Sequence, residues 1–179
     1  MRKEYGNALR KLFSAQMKQV LPRFKEVKVK SVYCAPGERA YRWIVSEPTH
    51  CWIVLSPDLK GYDRFHVLIG WSKRARYPEV SMIPCAEQPT PDHAEFAYDE
   101  YLIRLPSLWT TIDTPWVVRE FRVLTSAEDL QASMVPISQE QALNDVTPLV
   151  NDAISRLQTQ GLSYLETFAG SCGVEAKTQ

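Results

Sequence analysis

The stretch His50 to Ser72, HCWIVLSPDLKGYDRFHVLIGWS, constrains the fold more than any other part of this chain. Two β-type runs, Cys51 to Leu55 and Arg64 to Ser72, flank a loop carrying Pro57, Asp58, Lys60 and Gly61. Proline, aspartate and glycine favour turns because each fits a backbone conformation that strands avoid. Phe65, Val67, Ile69 and Trp71 fall on one face of the second run, with His66, Leu68 and Gly70 on the other. A glycine inside a strand predicts a bulge or a close backbone approach.

The surrounding pattern is helix, consecutive strands, then helices. Tyr5, Leu9, Leu12, Phe13, Met17, Val20 and Leu21 recur at helical spacing and predict a helix over Lys3 to Leu21, stopped by Pro22. Phe24 to Cys34 and Ala40 to Ser46 read as further strands, separated by an Ala35-Pro36-Gly37-Glu38 turn. A short edge strand is expected at Val80 to Ile83, a short strand or turn at Tyr101 to Leu105, and apolar contacts at Leu108 to Ile112 and Pro115 to Val118. Glu120 to Leu124 fits strand or helix equally, and Ala127 to Met134 reads as a short helix.

Ser138 and Gln141 have capping-box spacing. The stripe Leu143, Val146, Val150, Ala153 and Leu157 follows, with Pro148 either kinking one helix or opening a second behind Thr147. Gly161 is expected as the residue just past the helix end, with a last short turn from Leu162 to Phe168. The resulting fold class is α+β: one domain over residues 1–170, a mainly antiparallel sheet of about four or more strands with N-terminal and C-terminal helices packed on it. Residues 171–179 are expected to form a flexible polar tail.

With 179 residues the chain can bury a full core without staples. Cys34, Cys51, Cys85 and Cys172 are far apart and form no C-x-x-C pair, so reduced thiols are expected rather than a zinc or disulfide framework. No apolar run reaches the roughly 20 residues of a membrane span. The start, MRKEYGNALRKLF, lacks the apolar core of a signal peptide. The expected location is cytoplasmic.

Formal net charge is zero but unevenly spread. Sixteen basic and six acidic side chains lie at or before Arg76, leaving five basic and fifteen acidic beyond it. Glu87, Asp92, Glu95, Asp99 and Glu100 crowd one stretch with no Lys or Arg. Clustered carboxylates steer association with a basic partner and can cap a cationic active site. Trp109 and Trp116, in Pro-flanked loop-like sequence, are the candidate apolar anchors beside them. Arg23, Lys25, Lys28 and Lys30, with Lys73, Arg74 and Arg76, could line a phosphate track, or could simply face the acidic half of the same fold.

No common nucleotide, metalloprotease or esterase signature occurs, and no cofactor or metal ion is expected. His50 and Cys51 point to opposite faces and make poor co-ligands. His66 could meet Asp58 or Asp63 and act as a general base, against the alternative of a half-buried strand histidine with a satisfied hydrogen bond. Pro57-Asp58-Leu59-Lys60 has a superficial nuclease pattern, but such a site needs further carboxylates on an adjacent strand, and a hairpin loop explains these residues together with Gly61.

The layout resembles that of small bacterial proteins of the domain-of-unknown-function 4304 type. The likeness lies in an N-terminal helix ending near Phe24, then Trp52-Ile53-Val54-Leu55, then Phe65-His66-Val67-Leu68-Ile69-Gly70-Trp71-Ser72, then a late helix through Leu157. The Pro-rich acidic middle departs from it. Compact α+β proteins of this size look like immunity proteins of polymorphic or contact-dependent toxin systems, a set with no shared catalytic motif. The resemblance implies a non-enzymatic cytoplasmic binding protein whose partner is a basic, nuclease-like toxin domain. The alternatives are an enzyme acting on nucleic acid or a small phosphorylated ligand through His66, and a nucleic-acid-binding module using the basic N-terminal part.

Overall fold

The computed structural model describes residues 1–58, 62–79, 86–90, 92–120 and 135–172. Among these, six antiparallel strands form one sheet, and helices from both ends of the chain cover one of its faces. The fold is α+β, as the order of sequence patterns predicts.

Helix α1 spans Lys3–Val20 and buries Tyr5, Leu9, Phe13 and Met17, one residue per turn along a single stripe. It ends ahead of Pro22, where the Leu21 amide closes the last turn on the Met17 carbonyl. The strands are β1 (Lys25–Val27), β2 (Arg39–Ser46), β3 (Thr49–Pro57), β4 (Asp63–Ser72), β5 (Glu100–Arg104) and β6 (Trp116–Arg119). The sheet order is β1-β2-β3-β4-β5, and β6 also pairs with β4, at its opposite end from β5.

The His50 to Ser72 stretch is the centre of this sheet. Cys51 pairs with Trp71, Ile53 with Ile69 and Leu55 with Val67, and nearly every residue of both strands is buried. Being covered on both faces, these strands read as near-continuous apolar runs rather than strict alternation. Tyr41, Cys51, Ile53, Leu55, Phe65, Val67, Ile69, Trp71 and Ile103 meet the helices. Ala40, Trp52, Val54, Leu68 and Leu102 face the other way, where Tyr77, Val27, Val29 and Cys34 pack over them. Gly70 is required by a close approach, since a Cβ there would lie 1.9 Å from the Tyr101 carbonyl oxygen.

Two expectations are corrected and one left open is decided. The strand expected over Phe24 to Cys34 stops at Val27, because Val27 pairs with Ala40 and β2 starts only one residue earlier, at Arg39. Residues 28–38 therefore have no strand beside them. Of the two paths open at Pro148, the structure takes the single helix rather than a second one. Helix α2 runs Gln139–Arg156 through it, and Thr147 donates its hydroxyl to the Leu143 carbonyl instead of acting as a cap. Gly161 is not a helix end. It closes a π-type turn, Leu157–Gly161, that leads directly into α3 (Leu162–Ser171). Its small size serves packing, since a Cβ would sit 3.0 Å from a Leu105 methyl carbon.

Ser138 caps α2 as expected, accepting the Gln141 amide at 3.0 Å. The reciprocal half of the box is absent, because the Gln141 side chain donates to Asp145 at 2.6 Å. Leu143 is 40% exposed, and Ala142 takes its place on the buried stripe. The expected elements at Val80 to Ile83 and Ala127 to Met134, most of Glu120 to Leu124, Cys85 and the tail beyond Cys172 lie outside the described residues. No helix among the described residues is long and apolar enough to cross a membrane.

Candidate functional site

The acidic segment meets the sheet at the end of β4, where of its five carboxylates two are exposed, two are ion-paired and one is buried. Glu87 and Asp92 are exposed. Asp99 is held by Arg74 at 2.9 Å and Glu100 by Arg76 at 3.0 Å. The Arg74 hydrogen bond keeps Asp99 below the ordinary carboxylate range. Burial pushes Glu100 upward, but hydrogen bonds from Arg76, the Glu79 amide and Ser72 outweigh it and hold the group low. The basic cluster after β4 therefore faces the acidic half within the same fold, and Arg23 likewise pairs with Glu166 of α3. The exposed, unneutralised acidic surface is smaller than the composition of the segment suggests.

Glu95 is the clearest correction. It is 6% exposed and accepts a hydrogen bond from the Tyr164 hydroxyl of α3. A carboxylate in that position cannot present its charge on the surface. Burial, followed by the Glu95 carboxylate, pushes the Tyr164 hydroxyl far above its ordinary pKa, so it stays a donor. Glu95 belongs to a 3₁₀ turn, Ala94–Ala97, entered through His93 in a left-handed conformation at φ 59°.

Neither tryptophan is a free anchor. Trp116 is 8% exposed, stacks on Phe65 at 5.6 Å between ring centroids and donates its indole N–H to Asp152 at 2.8 Å. It is core, placed there because β6 pairs with the start of β4. Trp109 is half-buried under the Arg156 guanidinium, 4.7 Å from the ring centroid. Among the described residues of this region, the exposed aromatic is a tyrosine. Tyr98 is 60% exposed, directly after the 3₁₀ turn, with its ring stacked on Tyr101 at 6.1 Å. The usable signal was an aromatic residue flanked by acids in a segment without bases.

His66 lies on the helix-free face, opposite Ser56 in the β3–β4 ladder. The carboxylate beside it is Asp113, with Oδ1 3.7 Å from Nδ1, rather than Asp58 or Asp63. Asp58 pairs with Arg64 at 2.8 Å, and Asp63 accepts the Arg2 amide at 2.7 Å. Burial lowers the His66 pKa to about 4, with the nearby Arg104 guanidinium adding to the effect and Asp113 opposing it. The imidazole is neutral at pH 7 and a weak base, poorly matched to general-base chemistry near neutrality. Among the described residues its Nδ1 is buried with no hydrogen-bond partner. No group of three or more metal-ligating side chains converges among the described residues.

The fold and site define an α+β protein with a one-sided helical layer and an acidic, aromatic turn at the end of its central strand. No family model, curated protein or solved structure matches the chain.

Proposed function

We propose that this protein acts by direct contact with another protein, as a cytoplasmic immunity protein that neutralises a basic, nuclease-like toxin domain. The observation that supports this reading best is Tyr98: a large aromatic side chain, 60% exposed, on a turn flanked by exposed Asp92 and by Asp99. Aromatic residues rimmed by charge are the usual hot spots of protein interfaces, and uncompensated acids at the rim favour a cationic partner. The aromatic anchor is thus Tyr98, and the steering charges are Glu87 and Asp92, with Glu95 acting from inside the fold.

The test is affinity capture from the native host followed by a measured binding constant. The expected result is a stoichiometric basic partner whose association slows with salt. Tyr98→Ala is expected to weaken the complex at least about tenfold, in line with loss of a central aromatic anchor. A paired Glu87→Lys, Asp92→Lys variant is expected to slow association with little effect on dissociation. Recovery of no stoichiometric partner counts against the function, and an unchanged complex in Tyr98→Ala counts against the site.

A further inference from the structure

Surface loops ordinarily move more than the strands they connect. Residues 95–99 are fixed at four of five positions. Glu95 accepts from the Tyr164 hydroxyl, the Phe96 carbonyl from the Lys73 ammonium at 2.8 Å, the Tyr98 carbonyl from the Trp71 indole N–H at 3.1 Å, and the Asp99 carbonyl from the Lys73 amide at 2.7 Å. The Phe96 ring fills the space between, packed at 5.4 to 5.5 Å against Trp71, Tyr164 and Phe168. Three of these bonds come from the end of β4 and take backbone carbonyls. The fourth reaches across from α3 and is a buried side-chain pair.

We propose that Tyr164 is a positioning residue, which fastens the acidic turn to α3 through Glu95 so that Tyr98 is presented in one preformed orientation. The inference rests on the proposed partner contact, and it assigns Glu95 a role opposite to a surface charge. What matters is its acceptor oxygen, not its negative charge. Without the Tyr164 hydroxyl, a buried carboxylate loses its donor and regains one only by turning outward to water, which carries the turn with it. A turn that must be re-ordered on binding costs affinity, whereas a fixed one does not.

Two variants separate the hydrogen bond from the charge. Tyr164→Phe keeps the ring and its packing but removes the donor. Glu95→Gln removes the charge but keeps an acceptor oxygen. Amide hydrogen exchange in the free protein is the first readout, followed at Lys73, Phe96 and Tyr98, whose amides bond within or onto the turn. Tyr164→Phe is expected to speed exchange there roughly tenfold or more, with the paired amides of β3 and β4 unchanged, while Glu95→Gln stays near wild type.

The second readout is affinity for the protein recovered by host capture: about tenfold weaker for Tyr164→Phe and within about twofold of wild type for Glu95→Gln. Wild-type exchange in Tyr164→Phe, or loosening spread through the sheet, overturns the proposal. So does a Glu95→Gln complex as weak as that of Tyr164→Phe, which would mean the charge itself meets the partner. If no partner is recovered, the proposed function fails, while the exchange experiment still decides whether Tyr164 holds the turn.

Discussion

Acid should weaken this fold through His66. The imidazole has a pKa of about 4 in the folded protein against an ordinary 6.5, because burial, Arg104 and Arg64 all disfavour its proton and outweigh Asp113 and Asp58. A depressed folded pKa means the unfolded chain binds the proton more readily. The full stability is therefore present above pH 6.5 and is lost as pH falls toward 4. At 1.36 kcal/mol per pH unit, the gap corresponds to about 3 kcal/mol, of which about 2 is lost by pH 5. Against a total stability of about 5–15 kcal/mol for a typical domain, that is a large fraction. Urea unfolding of wild type and His66→Gln at intervals between pH 7.5 and 4.5 measures it. The expected result is that the wild type falls more steeply, and the difference between the two curves closes by about 2 kcal/mol at pH 5. His50, whose pKa is also lowered by burial and by Arg42, contributes to both curves and cancels in the comparison. Parallel curves, or a His66 proton NMR titration centred near 6.5, would refute the reasoning.

Two further substitutions probe the sheet. Gly70→Ala forces a methyl group to within 1.9 Å of the Tyr101 carbonyl oxygen between β4 and β5, so a destabilisation of about 3 kcal/mol is expected in urea unfolding, and a change below about 1 kcal/mol would show that β5 can move aside. Glu38 has its pKa raised by burial, against hydrogen bonds from Ser56, the Ala35 amide and Cys34 that favour the ionised form. A raised carboxylate contributes stability at low pH that is lost as pH rises through its folded pKa, so Glu38→Gln should be more stable than wild type at neutral pH, and an equal or lower denaturation midpoint there refutes this.

The sheet was legible because its signals are local. The Phe65, Val67, Ile69, Trp71 alternation and the turn residues before it specify a buried hairpin with little help from elsewhere. The single stripe of α1 is equally explicit. The misreadings share one cause, a dependence on neighbours far away in sequence. Val29 alternates with lysines as a strand residue would, but a strand needs a partner, and β2 does not extend before Arg39 to supply one. Gly161 looks like a stop, yet packing of the late helices on the sheet carries the helical path through it. At the candidate site, the charge of Glu95 was visible and its burial was not, because the group that buries it is Tyr164, 69 residues further on. The tryptophans misled for the same reason. Trp116 sits in turn-like sequence but finds Phe65 across the sheet and Asp152 on α2.

The packing of α1 against α2 also bears on how the chain is made. Tyr5 hydrogen-bonds Asp145 at 2.9 Å, and Gln16 reaches Asn151 at 2.6 Å, so the first element finds these partners 140 and 135 residues later. During synthesis the β2–β3–β4 meander can pair as soon as it leaves the ribosome, since its contacts are between sequence neighbours. The first helix, by contrast, emerges with its Leu9, Phe13 and Met17 stripe uncovered, and α2 follows about 140 residues later. At 5–20 residues per second that is an interval of roughly 7 to 28 seconds. For that time the α1 stripe has the sheet beneath it, Phe13 against Tyr41 of β2, but lacks the cover that α2 later supplies.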